Sequence, residues 1–115
     1  MAVDSFNLAK SASLQHVEPL RKRVPLHDEH GRALADFMMI IPGLRNKPQR
    51  IIQRCVKEIQ AVCARFDDAV VFVELNVKLN LLWVSHRPTP GVCAEITGAL
   101  QERIPEALLV GWLAR

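Results

Sequence analysis

The sequence predicts an α+β protein with a ferredoxin-like βαββαβ plait. Three observations support this fold class. The chain has 115 residues, the length of one domain. After residue 33, its apolar segments follow the order strand, helix, long alternating stretch, helix, strand. An antiparallel sheet with two helices on one face accommodates this order.

The N-terminal region is expected to lie outside the core. Residues 1–20 are small and polar with no strong apolar period, which predicts a flexible tail or a docking arm. The plait domain is then expected to span residues 21–115.

A β-hairpin is predicted ahead of the plait. Asp28 followed by Gly31 suits a tight turn between an edge strand near 23–27 and a longer strand over 32–41. Pro25 supports the edge position, because proline cannot donate a hydrogen bond to an interior ladder.

The first plait strand and the first helix follow. Residues 37–41 are apolar on both faces, and Pro42 and Gly43 end the strand. Pro48 suits the first turn of a helix over 48–66. The apolar residues of this segment fall on one stripe, which indicates a core-facing helix. They are Ile52, Cys55, Val56, Ile59, Val62, Cys63 and Phe66.

The stretch 69–85 alternates apolar and polar residues in its middle and is apolar on both faces at its ends. It contains no glycine or proline to mark a turn. Residues 76–80 are the expected turn of a hairpin, because asparagine tolerates the left-handed conformation. A single long strand that is exchanged between protomers is the alternative.

The last helix and strand have clear boundaries. Thr89 and Pro90 are typical of a helix start, and they predict a helix over 90–103. Pro105 ends the helix, and residues 108–113 form a final apolar strand.

A basic loop end is the candidate binding site. We expect the first and third plait strands to be adjacent and parallel, so that loops 42–47 and 85–89 lie at the same end of the sheet. Cations and two helix N-termini would then converge and favour an anion. The alternative is a set of solvated charges on surface loops. The candidate anion-binding residues are Arg45, Lys47, Arg50, His86 and Arg87.

The second face of the predicted sheet is too apolar for a soluble monomer to leave exposed. It should be covered by the N-terminal segment or by a second copy of the chain. The candidate interface residues are Phe37, Met39, Leu81, Trp83 and Trp112.

Composition limits the function classes. Half of the residues are hydrophobic and the formal net charge is +3, which permits an anionic partner without requiring one. The three cysteines lack paired spacing, which predicts reduced thiols in the cytoplasm. The first twenty residues lack a signal-peptide core, and no apolar run reaches membrane-spanning length.

No residue pattern predicts a catalytic group, a cofactor or a metal site. We therefore expect a non-enzymatic interaction or regulatory module, homodimeric, with a basic end for an anionic ligand or partner protein. One alternative is a nucleic-acid-associated protein, although the aromatic string of RNA-binding plaits is absent. The other is a small plait enzyme that acts on a phosphorylated substrate.

Overall fold

The computed structural model describes the backbone of residues 5–7, 27 and 30–114, and the side chains of residues 27 and 30–110. It confirms an α+β domain with an antiparallel sheet and two helices. The elements are β1 Ser5–Asn7, β2 Ala35–Ile40, α1 Gln49–Arg65, β3 Val70–Asn76, β4 Leu81–His86, α2 Val92–Arg103 and β5 Leu108–Ala114. A short 3-10 turn, Leu44–Asn46, separates β2 from α1.

The sheet has the strand order β1-β3-β4-β2-β5, and every neighbouring pair is antiparallel. The central strands β2 and β4 place Ala35 opposite His86 and Ile40 opposite Leu81. The prediction that these two strands are parallel is therefore wrong. The physical reason is that each crossover helix joins two parallel strands that are separated by a third strand, so strands in direct contact run in opposite directions.

Part of the N-terminal region adds a strand to the sheet. Ser5–Asn7 form an edge strand beside β3, with Ser5 opposite Asn76. The rest of 1–20 lies outside the described residues. His27 and Ala33 form an antiparallel bridge around Gly31, whose φ is 78°, which confirms a chain reversal there. The predicted edge strand at 23–26 also lies outside the described residues.

The two helices begin close to their predicted starts. Pro48 precedes α1, and the buried residues of α1 are the predicted stripe from Ile52 to Cys63. α2 begins after Gly91, which has a left-handed φ of 81°. The Thr97 hydroxyl donates to the carbonyl of Cys93, so this polar side chain is satisfied within its own helix.

The stretch 69–85 forms a hairpin within one chain. Its turn falls at residues 77–80, where the Asn80 N–H donates to the Val77 carbonyl. Asn80 has a φ of 56°, and the Asn76 side chain accepts the Leu79 N–H. The predicted location of the turn is therefore confirmed, and the exchanged long strand is not adopted.

Both helices pack on one face of the sheet. The sheet side of this core includes Phe37, Met39, Val73, Leu75, Leu82 and Val84.

The middle of the other face is also buried, although the structure contains a single copy of the chain. Asp36, Phe72, Glu74 and Ser85 are each at most 6% exposed. The Trp83 indole N–H donates to Asp36 Oδ2 at 3.0 Å. A second copy is therefore not needed to bury this part of the second face.

Candidate functional site

The structure separates the predicted anion-binding residues into two groups. Because β2 and β4 are antiparallel, the loop after Ile40 and the loop after His86 lie at opposite ends of the sheet. Arg45, Lys47 and Arg50 lie at the first end. His86 and Arg87 lie at the second, so the predicted five-residue convergence is wrong.

His86 and Arg87 are held by the protein itself. His86 is 3% exposed, its Nδ1 lies 2.8 Å from the Arg87 carbonyl, and its ring packs at 5.8 Å from the ring of Phe37. The Arg87 guanidinium donates to the Asp68 carbonyl at 2.8 Å, and the Arg87 backbone N–H donates to Ala69. These contacts join the loop after β4 to the loop after α1, which is a structural role.

The first end of the sheet keeps a group of cations. The Arg45 N–H donates to Asn80 Oδ1, which brings the β3–β4 turn against the β2–α1 loop. Lys78 on that turn is exposed, as are Arg45, Lys47 and Arg50. The side chain of Lys78 therefore belongs to the basic end, although sequence order alone gave no reason to include it.

The predicted interface residues also lie in different environments. Phe37 and Met39 are 1% and 0% exposed and lie in the core beneath the helices, so the interface prediction is wrong for these two. Leu81 and Trp83 are partly exposed on the other face. The side chain of Trp112 lies outside the described part of the structure.

A pocket of about 230 Å³ opens between α1 and the connection from α2 to β5. Its apolar wall comes from Ile41 and Leu44 after β2, Ile51 and Cys55 on α1, and Ile104 after α2. Four of these five side chains are buried, Ile51 being the partly exposed one. The wall can therefore hold an aliphatic group away from water.

Pro42 and five charged side chains form the remainder of the pocket wall, the charged ones being Lys47, Arg54, Glu58, Arg103 and Glu106. Arg103 Nη1 and Glu58 Oε1 form an ion pair at 3.2 Å between α2 and α1. Of this group, only Lys47 was predicted from the sequence as a binding residue. The spacing of Ile51, Arg54 and Glu58 by three or four residues places them along one face of α1, but that pattern alone does not reveal a cavity.

The cysteines do not have the environment of activated nucleophiles. Burial, with the nearby carboxylates of Glu106 and Glu58, raises the pKa of the Cys55 thiol to about 11. Burial raises the pKa of Cys63 to about 12, and it also raises the pKa of Cys93. A nucleophilic thiol requires the opposite shift, toward the thiolate.

β5 offers a second candidate surface, at the end of the sheet. Leu108 and Val110 are 56% and 57% exposed. Within the described residues, no strand pairs with the outer edge of β5. Among those residues, its backbone donors and acceptors on that side have no strand partner, which makes this edge a candidate for pairing with another strand.

No group of three or more His, Cys, Asp or Glu side chains able to hold a metal occurs among the described residues. The described helices include none with the length and apolarity to cross a membrane. No protein-family model matches the chain, and no curated protein or solved structure does either.

Proposed function

We propose that this chain is a non-enzymatic interaction module that forms a homodimer through the outer edge of β5. The observation that carries the proposal is the exposure of Leu108, Leu109 and Val110 in a strand that contains no charged residue. We further propose that the domain is a ferredoxin-like plait located in the cytoplasm. The strand order β3-β4-β2-β5 supports the plait, because a βαββαβ chain with two split crossovers produces this order.

The two edges of the sheet differ in their protection. β1 is only three residues long, and short edge strands limit pairing with other chains. Leu108–Ala114 is seven residues long and contains no charged residue and no proline. Charges and prolines are the common means by which proteins prevent edge pairing, so β5 is suited to accept a strand.

A second copy of this chain is the partner that fits the edge. Two β5 strands can pair antiparallel across a twofold axis and join two sheets into one. Neither copy would bring a charged side chain into this pairing, because Leu108–Ala114 contains none. An uncharged edge would meet an equally uncharged edge with no unpaired charge buried between them, which favours a second copy as the partner.

The alternatives have less support. An enzyme for a phosphorylated substrate would need the two basic loops together, and they lie at opposite ends of the sheet. A plait that stacks RNA bases would need exposed aromatics. Phe37 is 1% exposed, and the indole of Trp83 is held by Asp36.

The test is the concentration dependence of mass, measured by analytical ultracentrifugation. We expect a dimer for the unmutated chain and a folded monomer for Val110→Lys, because the added charges would face each other across the paired strands. Leu79→Lys is the matched control, since Leu79 is 58% exposed on the β3–β4 turn, away from β5. It should leave the dimer intact.

Two outcomes would refute the proposal. One is a monomer at every concentration for the unmutated chain. The other is a dimer that Val110→Lys and Leu79→Lys affect equally, which would place the contact elsewhere. Far-ultraviolet circular dichroism of each variant separates dissociation from unfolding.

A further inference from the structure

We propose that the pocket between α1 and the α2–β5 connection binds a small aliphatic monocarboxylate. The site is separate from the outer edge of β5, and ligand binding there does not require dimer formation. The pocket combines an apolar wall with cations that the described residues leave without a carboxylate partner.

The apolar wall selects an aliphatic body. Ile41 and Leu44 are each 2% exposed, and Ile104 is 6% exposed, so the wall is a continuation of the core. An aliphatic chain placed against it would be removed from water, which favours binding in proportion to the apolar area buried. A fully hydrated ion such as phosphate gains nothing from this wall.

Lys47 and Arg54 select the charged group. Among the described residues, neither has a carboxylate within ion-pair distance, whereas Arg103 is paired with Glu58. Both lie on the α1 side of the pocket, with Ile51 between them in sequence. A ligand carboxylate there would accept charge-assisted hydrogen bonds from both side chains.

The carboxylates of the pocket limit the ligand to a single negative charge. The wall carries three cations (Lys47, Arg54, Arg103) and two anions (Glu58, Glu106), which leaves a net charge of +1. A monoanion neutralises this charge. A dianion would meet repulsion from Glu106, which is exposed and has no cationic partner among the described residues.

The test uses 4-methylpentanoate as the probe, with binding followed by ¹H–¹⁵N chemical shifts. We expect saturable shifts at Leu44, Ile51 and Ile104 at millimolar probe. 4-Methylpentan-1-ol has the aliphatic chain of the probe without its negative charge. Acetate and inorganic phosphate are negatively charged but lack that chain. Each of these three should bind at least tenfold more weakly. Equal binding of the alcohol, or no saturable shift with 4-methylpentanoate at 20 mM, would overturn the proposal.

A matched pair of double variants tests the two cations. Lys47→Ala with Arg54→Ala should raise the dissociation constant at least tenfold. Lys57→Ala with Arg65→Ala removes the same charge from exposed positions of α1 that do not line the pocket, and it should change the constant less than twofold. Equal effects of the two double variants would show a nonspecific charge effect and would overturn the site.

The assembly proposal and the pocket proposal fail independently. The Val110→Lys variant should bind 4-methylpentanoate with an unchanged dissociation constant. Loss of binding in that variant, with the fold intact, would show that the pocket requires the β5 contact and would overturn its independence.

Discussion

Asn80 Oδ1 accepts a hydrogen bond of 2.7 Å from the backbone N–H of Arg45. The Asn80 backbone carbonyl also accepts from the Ile41 N–H at 2.8 Å. One residue of the β3–β4 turn therefore satisfies two donors of the loop that leaves β2. Because Lys47 follows in that loop, Asn80 helps to fix the entrance of the pocket without lining it.

Substitution of Asn80 should reveal two separable contributions. Asn80→Ala and Asn80→Gly both lose the Arg45 hydrogen bond, worth about 1 kcal/mol. Alanine keeps a Cβ at a φ of 56° without asparagine's tolerance for this region, whereas glycine adopts it at no steric cost. Urea denaturation should therefore show a larger loss of unfolding free energy for alanine than for glycine. Equal losses would show that the left-handed conformation contributes nothing.

The Trp83–Asp36 hydrogen bond should couple β4 to β2 on the second face of the sheet. Asp36 is 2% exposed, and its Oδ2 accepts from the Trp83 indole at 3.0 Å. A double-mutant cycle with Trp83→Phe and Asp36→Ala should give a coupling of about 1.5–3 kcal/mol, the range for a hydrogen bond to a charged group. Trp83→Phe with Thr97→Ala is the control cycle, since the Thr97 hydroxyl bonds within α2. A coupling no larger than that of the control would contradict the assignment.

Local sequence patterns predicted the elements well. Periodicity located α1 and its buried stripe, and the asparagines at 76 and 80 located the turn despite the absence of glycine and proline. These features depend on contacts between residues close in sequence, so the local order of apolar and polar residues is enough to predict them. The three-residue β1 is too short to show a period, so the sequence did not predict it.

The predicted convergence of the two basic loops depended on the relative direction of β2 and β4, which the sequence pattern does not determine. The residues around Arg45 and Arg87 do not indicate whether β2 and β4 are parallel or antiparallel. The pairing of Ala35 with His86 shows that the two strands are antiparallel. The pocket was missed for a related reason. It forms where residues 41–58 meet residues 103–106, and the Glu58–Arg103 ion pair joins residues 45 positions apart.

The thiols should make unfolding sensitive to alkaline pH. The Cys55 pKa rises from its ordinary value of 9.0 to about 11 and that of Cys63 to about 12, so the unfolded chain releases these protons first. Their contribution to stability is complete below pH 9 and is lost as pH rises toward 11 and 12. Between its unfolded and folded pKa values, each thiol should lower the unfolding free energy by at most about 1.4 kcal/mol per pH unit.

Cysteine variants can be compared over that pH window. The slope of unfolding free energy against pH between 9 and 11 should be shallower in Cys63→Ala than in Cys93→Ala, because Cys63 is the more buried thiol. Equal slopes would contradict the link between burial and the alkaline loss. Iodoacetamide at pH 8 should modify Cys93 before Cys55 or Cys63, as peptide mass spectrometry would report.

Two glycines of one segment should respond to alanine in opposite directions. Gly98 lies inside α2 and is exposed, and a methyl group on its Cα would meet no atom within 4 Å apart from its chain neighbours and the nearby backbone of α2. Gly98→Ala should therefore raise the unfolding free energy by about 0.5–1 kcal/mol, because alanine loses less backbone entropy in a helix. Gly91 precedes α2 with a φ of 81°, so Gly91→Ala should lower it by about 1–2 kcal/mol. Thermal unfolding checks both variants, and shifts of the same sign would contradict the described start of α2.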